Sequence, residues 1–124
     1  MTIDPDAFIA ACPSRRLLAR IGEKWTLMIV VALEADTMRF GALRNRLEGV
    51  SQKMLTQSLR ALERDGLVGR QVFNEMPLRV EYALTPLGRC FLPHAIALKA
   101  WAEANLKDVE SAQSAFDAKA ADTA

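Results

Sequence analysis

Ser51, Gln52, Lys53, Thr56, Gln57 and Arg60 carry the most explicit chemistry in this chain. Amide, hydroxyl, ammonium and guanidinium groups are the types that hydrogen-bond to base edges in a major groove, and the cations among them also neutralise phosphates. Their spacing matters as much as their type. Leu55, Leu59 and Leu62, with Met54 and Ser58 beside them, recur at the helical i, i+4, i+7 interval, which leaves Gln52, Lys53, Thr56, Gln57 and Arg60 on the opposite face. Ser51 is placed to cap such a helix and Gly66 to end it in a left-handed conformation. An ordinary solvated helix face carries the same residue types, so the neighbouring elements have to decide between the two readings.

The other reactive candidate is Cys12. Arg15, Arg16 and a helix N-terminus beginning at Pro13 are expected to lower its pKa and favour the thiolate. A small packed thiol beside Ala10 and Ala11 is the alternative. Cys90 lies in an apolar helical stretch and is expected to be packed. The two cysteines form no CxxC pair, which excludes a zinc motif of that kind and a small disulfide scaffold. Catalysis finds little support. The single histidine, His94, has no Ser or Cys nucleophile beside it, and there is no glycine-rich phosphate loop. No cofactor is indicated.

The elements that would position these groups read mostly as helix. Residues 1–12 form a short acidic lead, and a helix from Pro13 to about Ile21 sets Arg15, Arg16 and Arg20 against Leu17, Leu18 and Ile21. Residues 23–34 are apolar around most of the helical circumference, as expected of the central helix of a small bundle. After a connector at 36–38, residues 39–47 form a third helix, and Glu48-Gly49-Val50 separates it from Ser51. Two short helices joined by a three-residue, Gly-containing turn, the second with a polar outward face, make a helix-turn-helix.

Residues 67–73 and 79–84 alternate as two strands joined by Asn74-Glu75-Met76-Pro77-Leu78, the wing of a winged helix. Arg70, Asn74 and Arg79 lie on or near it, where a minor groove or phosphates are expected within reach. Thr85-Pro86 opens a last helix to about Val109, which Pro93 is expected to kink or split. Its surplus apolar surface calls either for a partner, most simply a second copy, or for folding back onto its own core. Residues 111–124 are Ala-rich and are expected to be a disordered tail, which gives a lead (1–12), a winged-helix unit with dimerisation helices (13–110) and a tail.

Composition sets the limits of this reading. The chain has 124 residues with 51% hydrophobic and 6% aromatic content, enough for one core and poor in the aromatic-rich strands of a β-sandwich. Its net charge is only +1, yet residues 39–79 hold eight basic and four acidic side chains, a basic segment in a chain whose remainder is acidic. The apolar run at 27–33 is far too short to cross a bilayer, and the acidic start lacks the apolar core of a signal peptide. A cytoplasmic protein without a membrane partner is the simplest expectation.

Cys12-Pro13, Ile21-Gly22-Glu23-Lys24-Trp25, Arg39-Phe40-Gly41-Ala42-Leu43, Gly49-Val50-Ser51-Gln52-Lys53-Met54-Leu55, Leu59-Arg60-Ala61-Leu62-Glu63-Arg64-Asp65-Gly66-Leu67-Val68 and Tyr82-Ala83-Leu84-Thr85-Pro86-Leu87-Gly88 resemble, in order and spacing, the HxlR family of bacterial winged-helix transcriptional regulators. The resemblance spans about residues 12–105. It implies a homodimer, joined through the N- and C-terminal helices, that binds double-stranded DNA at a palindromic operator, usually as a repressor and sometimes as an activator. It also implies that the Cys-Pro cysteine, here Cys12, serves as a redox or electrophile sensor in some members. A small-molecule effector pocket near the dimer helices, with Trp25, Phe91 and Trp101 contributing, and a winged helix used only for protein contacts remain alternatives.

Overall fold

The computed structural model describes residues 4–123; the first three residues of the acidic lead and Ala124 lie outside the described residues. Elements follow in the order α1 (Ser14–Ile21), α2 (Lys24–Ala32), β1 (Met38–Arg39), α3 (Phe40–Arg46), α4 (Gln52–Arg64), β2 (Val68–Phe73), β3 (Arg79–Leu84) and α5 (Pro86–Thr123). This is a winged helix-turn-helix: α3 and α4 form the helix-turn-helix, and the β2–β3 hairpin forms the wing.

The core forms where the apolar stripes of the helices meet. Ile29, Val30 and Leu33 of α2, Leu43 of α3, Leu55, Leu59 and Leu62 of α4, and Leu92 and Ala95 of α5 are buried together, with Leu47, Val50, Leu67 and Val68 closing the cluster. The α2 helix packs against both α4 and α5, as its apolar circumference requires. Its start is fixed by Glu23, whose carboxylate accepts a hydrogen bond from the Thr26 N–H at 3.0 Å.

The α4 boundaries match the expected signals. The Ser51 hydroxyl accepts from the Met54 N–H at 3.0 Å, and Gly66 takes φ +79° just beyond the Asp65 C-cap. Gly49, at φ +90° in the turn between α3 and α4, supplies the other left-handed residue.

Three expectations need correction. The connector before α3 contains a short strand: β1 pairs antiparallel with β3, Met38 opposite Tyr82 and Arg39 opposite Glu81, so the sheet order is β1-β3-β2. Two residues are too few to show a period, which is why no alternation announces them. Helix α5 runs through Pro93 without a break, so the proline does not split it in two. Leu92 and Ala95, buried on either side of the proline, hold both halves against the core, and that packing outweighs a proline cost of about 3 kcal/mol. Finally, residues 111–123 continue α5 instead of forming a disordered tail. Alanine is the strongest helix former, and no Gly or Pro follows Pro93 to stop propagation.

The junction between α4, the wing and α5 is tightly tied. The Thr85 hydroxyl donates to the Gly66 carbonyl and accepts from the Gly88 N–H at 3.0 Å, while the Thr85 N–H donates to the Leu67 carbonyl at 3.1 Å. A Cβ on Gly88 would collide with the Leu67 carbonyl oxygen, whereas one on Gly41 in α3 would meet nothing within 4 Å. Gly88→Ala is therefore expected to cost at least about 2 kcal/mol in denaturant unfolding. Gly41→Ala is expected to leave stability unchanged or raise it by up to about 1 kcal/mol, and equal midpoints for the two variants would contradict this packing.

Candidate nucleic-acid interface

The buried leucines of α4 fix which of its side chains look outward. Lys53, Gln57, Arg60 and Arg64 recur at i, i+4, i+7 and i+11 and form one row, and all four are exposed. Gln52 and Thr56, also exposed, flank that row on the wing side; with Arg60, Arg70, Phe40 and Tyr82 they line a cleft of about 700 Å³ between α4 and the sheet. Gln57 lies over the other flank, beside Arg20 and Thr26 of α1 and α2.

Arg64 is the member of this row that the residue pattern did not single out. Its spacing from Arg60 was the available signal, but its place in the last turn obscured it.

Electrostatics favour an anion at the start of α4. Its first turn carries no acidic residue, so the partial positive charge of the unpaired N–H groups there is not offset by a nearby carboxylate. Because Ser51 uses an oxygen lone pair to cap, its hydroxyl proton stays available to donate.

The wing arginines are placed differently. Arg70 shares the α4-facing side of the hairpin with Val72 and lies 3.7 Å from the Glu63 carboxylate, which draws it to the edge of the reading row. Arg79 is on the opposite face. It lies 3.2 Å from Glu75 and, through Nε, 3.5 Å from Glu81, with its guanidinium stacked 3.9 Å from the centroid of Phe73 across the strand pair. The Nε–Glu81 approach lacks hydrogen-bond geometry and acts as an ion pair. Asn74 is exposed at the tip.

Cys12 sits just before α1, half-buried, in a separate apolar hollow of about 620 Å³ that Pro5, Ile9, Ala11 and Leu17 help to line. Its thiol is held below the ordinary range, first by the Ser14 hydroxyl at 3.0 Å, then by the Ser14 backbone N–H and the Asp6 N–H at 3.3 Å; partial desolvation opposes them. Of the expected causes, the helix N-terminus contributes through the Ser14 N–H, and the arginines do not. Arg15 does not serve the sulfur: its guanidinium donates to the Ala7 and Phe8 carbonyls at 2.9 and 2.7 Å and folds the lead back on α1.

Cys90 is exposed and not packed, because Leu92 and Ala95 define the buried stripe of α5 and Cys90 falls outside it. Trp25 and Phe91 lean on the core while Trp101 is 62% exposed on α5, so the three rings do not gather around one effector site. Among the described residues no His, Cys, Asp and Glu cluster could hold a metal, and no helix is long and apolar enough to cross a membrane.

A capped polar helix raised on a leucine core beside a β-hairpin defines a DNA-binding transcription regulator of the winged-helix class. Residues 20–110 match the HxlR-like helix-turn-helix family, and the chain belongs to it. It is similar to the uncharacterized HTH-type transcriptional regulator YtfH of Escherichia coli, with 46% identity over 102 residues, 82% of this chain and 81% of that protein. Among solved structures, the putative transcriptional regulator ytfH from Salmonella typhimurium superposes with a TM-score of 0.85 at 42% identity, covering 90% of this chain and 99% of that one. The redox regulator HypR in its oxidized form gives a TM-score of 0.70 at 38% identity, covering 76% and 97%.

The geometry around Cys12 makes a direct prediction. Its alkylation rate by iodoacetamide, measured against pH, should have a midpoint below that of an unstructured cysteine peptide measured alongside. Ser14→Ala should move that midpoint upward, and Arg16→Ala should leave it in place. A midpoint insensitive to Ser14 would show that the serine contacts do not set the thiolate.

Proposed function

We propose that this protein is a homodimeric repressor that reads a palindromic operator through α4 and releases it when Cys12 is modified by an oxidant or electrophile. The observation that carries the DNA reading is the exposed row of Lys53, Gln57, Arg60 and Arg64 on a helix whose first turn has no carboxylate. In this reading Ser51 and Lys53 engage phosphates at the helix start, Gln52, Thr56 and Gln57 face base edges, and Arg60 and Arg70 contact base or phosphate at the groove wall.

Dimerisation is supported by α5. Leu98, Trp101, Val109 and Phe116 fall on one side of the helix and are 53%, 62%, 41% and 72% exposed. Phe8, Ile9, Leu17 and Leu18 of the N-terminal segment and α1 are also exposed, and a second copy covers both surfaces at once. Such a dimer sets its reading helices about 34 Å apart, one turn of B-DNA.

The signal reading rests on the lowered thiol in its apolar hollow and on the likeness to a protein described as a redox regulator. In this reading α1 links the thiol to the reading helix. Ser14 at its start contacts Cys12, and Arg20 near its end lies 3.7 Å from Asp65, the residue that closes α4. A change at the sulfur that tilts α1 is thereby transmitted to the reading helix.

Selection of bound duplexes from a random pool, followed by affinity measurement across salt concentration, tests this function. Removing one cation from a phosphate should reduce the slope of log K against log salt by about 0.9, so Lys53→Ala is expected to shallow it by about one. Gln57→Ala should relax sequence preference with the slope unchanged. No enriched sequence, or wild-type behaviour in both variants, would overturn the assignment. Separately, sedimentation should give a dimer for the wild type and a monomer with weakened operator binding for Trp101→Asp. Modification of Cys12 should lower affinity in the wild type and not in Cys12→Ser.

A further inference from the structure

Positive charge gathers where α1 meets the end of α4. Arg16 and Arg20 of α1 and Arg64 in the last turn of α4 line one hollow of about 380 Å³, which Pro13, Leu17 and Asp65 complete. Arg16 and Arg20 recur at i, i+4 and share a face of α1. Asp65 is the one carboxylate of the hollow and lies 3.7 Å from Arg20. Among the described residues no carboxylate comes within ion-pair distance of Arg16 or Arg64, both of which are exposed. Glu23 borders the adjoining groove with Arg16 and Arg20, but its carboxylate is engaged by the Thr26 N–H. The dipole of α4 accounts for one cation in its last turn, not for three around one hollow.

The charge balance identifies the occupant. Three guanidinium groups against one carboxylate leave an excess of two positive charges, which favours a dianion over a monoanion. Planar forks arriving from two helices suit the oxygens of a phosphate, and the volume is that of a small-molecule site, with room for a carbon body beside the phosphate. The hollow lies about 20 Å along α4 from Ser51, at the end away from the residues assigned to base edges. Around α1, Arg16 and Arg20 lie about a third of a turn from the Leu17–Leu18 face, so the dimer proposed above does not require covering them.

We propose that this hollow is a regulatory site for a small phosphate monoester, held as its dianion by Arg16, Arg20 and Arg64, and that its occupation lowers operator affinity. The regulatory part rests on the DNA reading of α4; the binding part does not. Ligand oxygens that accept from Arg20 compete with Asp65, which loosens the tie between α1 and the end of the reading helix. The added negative charge also lies beside Arg64 on the outward row, where it opposes the approach of DNA phosphates. This signal needs no change at Cys12, yet it acts on the same contact between α1 and α4.

Titration calorimetry on the DNA-free protein, with phenyl phosphate and benzoate as probes, tests the site. At low salt and about pH 8, above the second phosphate pKa of about 6, phenyl phosphate is a dianion and benzoate carries one charge on the same ring. Phenyl phosphate should bind once per chain and benzoate at least about tenfold more weakly. Arg16→Gln and Arg64→Gln should each weaken phenyl phosphate about tenfold with little change in unfolding midpoint, because both side chains are exposed. Arg44→Gln, at an exposed position of α3 outside the hollow, should bind as the wild type does. On a duplex recovered from a random-sequence pool, saturating phenyl phosphate at matched ionic strength should lower wild-type affinity about fivefold or more, and Arg16→Gln should lose this response. Absence of phenyl phosphate binding, benzoate binding of equal strength, or an equal loss in Arg44→Gln would each overturn the site. Phenyl phosphate bound at the arginines with operator affinity unchanged would overturn its regulatory role. If no duplex is enriched, the DNA reading and the regulatory role fail together, while the calorimetry still decides the site.

Discussion

Leu55, Leu59 and Leu62 cannot leave the core of this protein without dismantling it, and that constraint is what allows α4 to act as the reading device we propose. Truncating any one of these leucines would remove about 2–5 kcal/mol, a large part of the stability of a domain this size. Because the three side chains lock the rotation of α4 about its axis, the arc carrying Lys53, Gln57, Arg60 and Arg64 has one direction to face. The Ser51 cap sets where that row begins and Gly66 where it ends. Recognition is then a matter of a rigid surface meeting a groove, with little ordering entropy left to spend on contact.

The C-terminal end of α4 is where the remaining elements converge. Thr85 joins the Gly66 carbonyl to the first turn of α5, and Gly88 lets α5 approach the Leu67 backbone more closely than any other residue would. Arg20 brings α1 to Asp65 from the other side. The helix with the open apolar face and the helix that begins beside Cys12 are thus both anchored within a few residues of where the reading helix stops. In a dimer, this arrangement makes the separation of the two α4 helices depend on the packing of α1 and α5. That dependence is what a signal arriving at Cys12 requires in order to alter DNA affinity.

Much of this architecture was legible in the residues because several local signals agreed on each element. The leucine period, the serine cap and the terminal glycine all marked α4, and strand alternation with an intervening Pro-containing loop marked the wing. What stayed hidden had physical reasons. Strand β1 is too short to carry a period, and its partner β3 is more than 40 residues away, so no local pattern could pair them. The Pro93 signal was real but was outweighed by burial on both sides of it. Low hydrophobicity in residues 111–123 suggested disorder, although the same alanines favour helix once a preceding helix supplies the nucleus. At the site, Lys53, Gln57 and Arg60 could be placed from spacing alone. The commitment of Arg79 to Glu75, Glu81 and Phe73 depends on which strand face it occupies and on a cross-strand neighbour, neither of which its residue type discloses. The Cys12 thiol illustrates the same limit: the nearby arginines were conspicuous, but a serine and two backbone N–H groups set its acidity.

We propose that the outward row of α4 is the DNA-contacting surface of a rigid domain. Backbone amide chemical shifts, followed while a duplex selected by the protein is titrated into isotope-labelled protein, report on that surface directly. The account predicts the largest changes at residues 51–60, with the buried stripe of α2 and the Thr85 junction nearly unmoved. Changes concentrated in α1 and α5, with residues 51–57 unaffected, would contradict it.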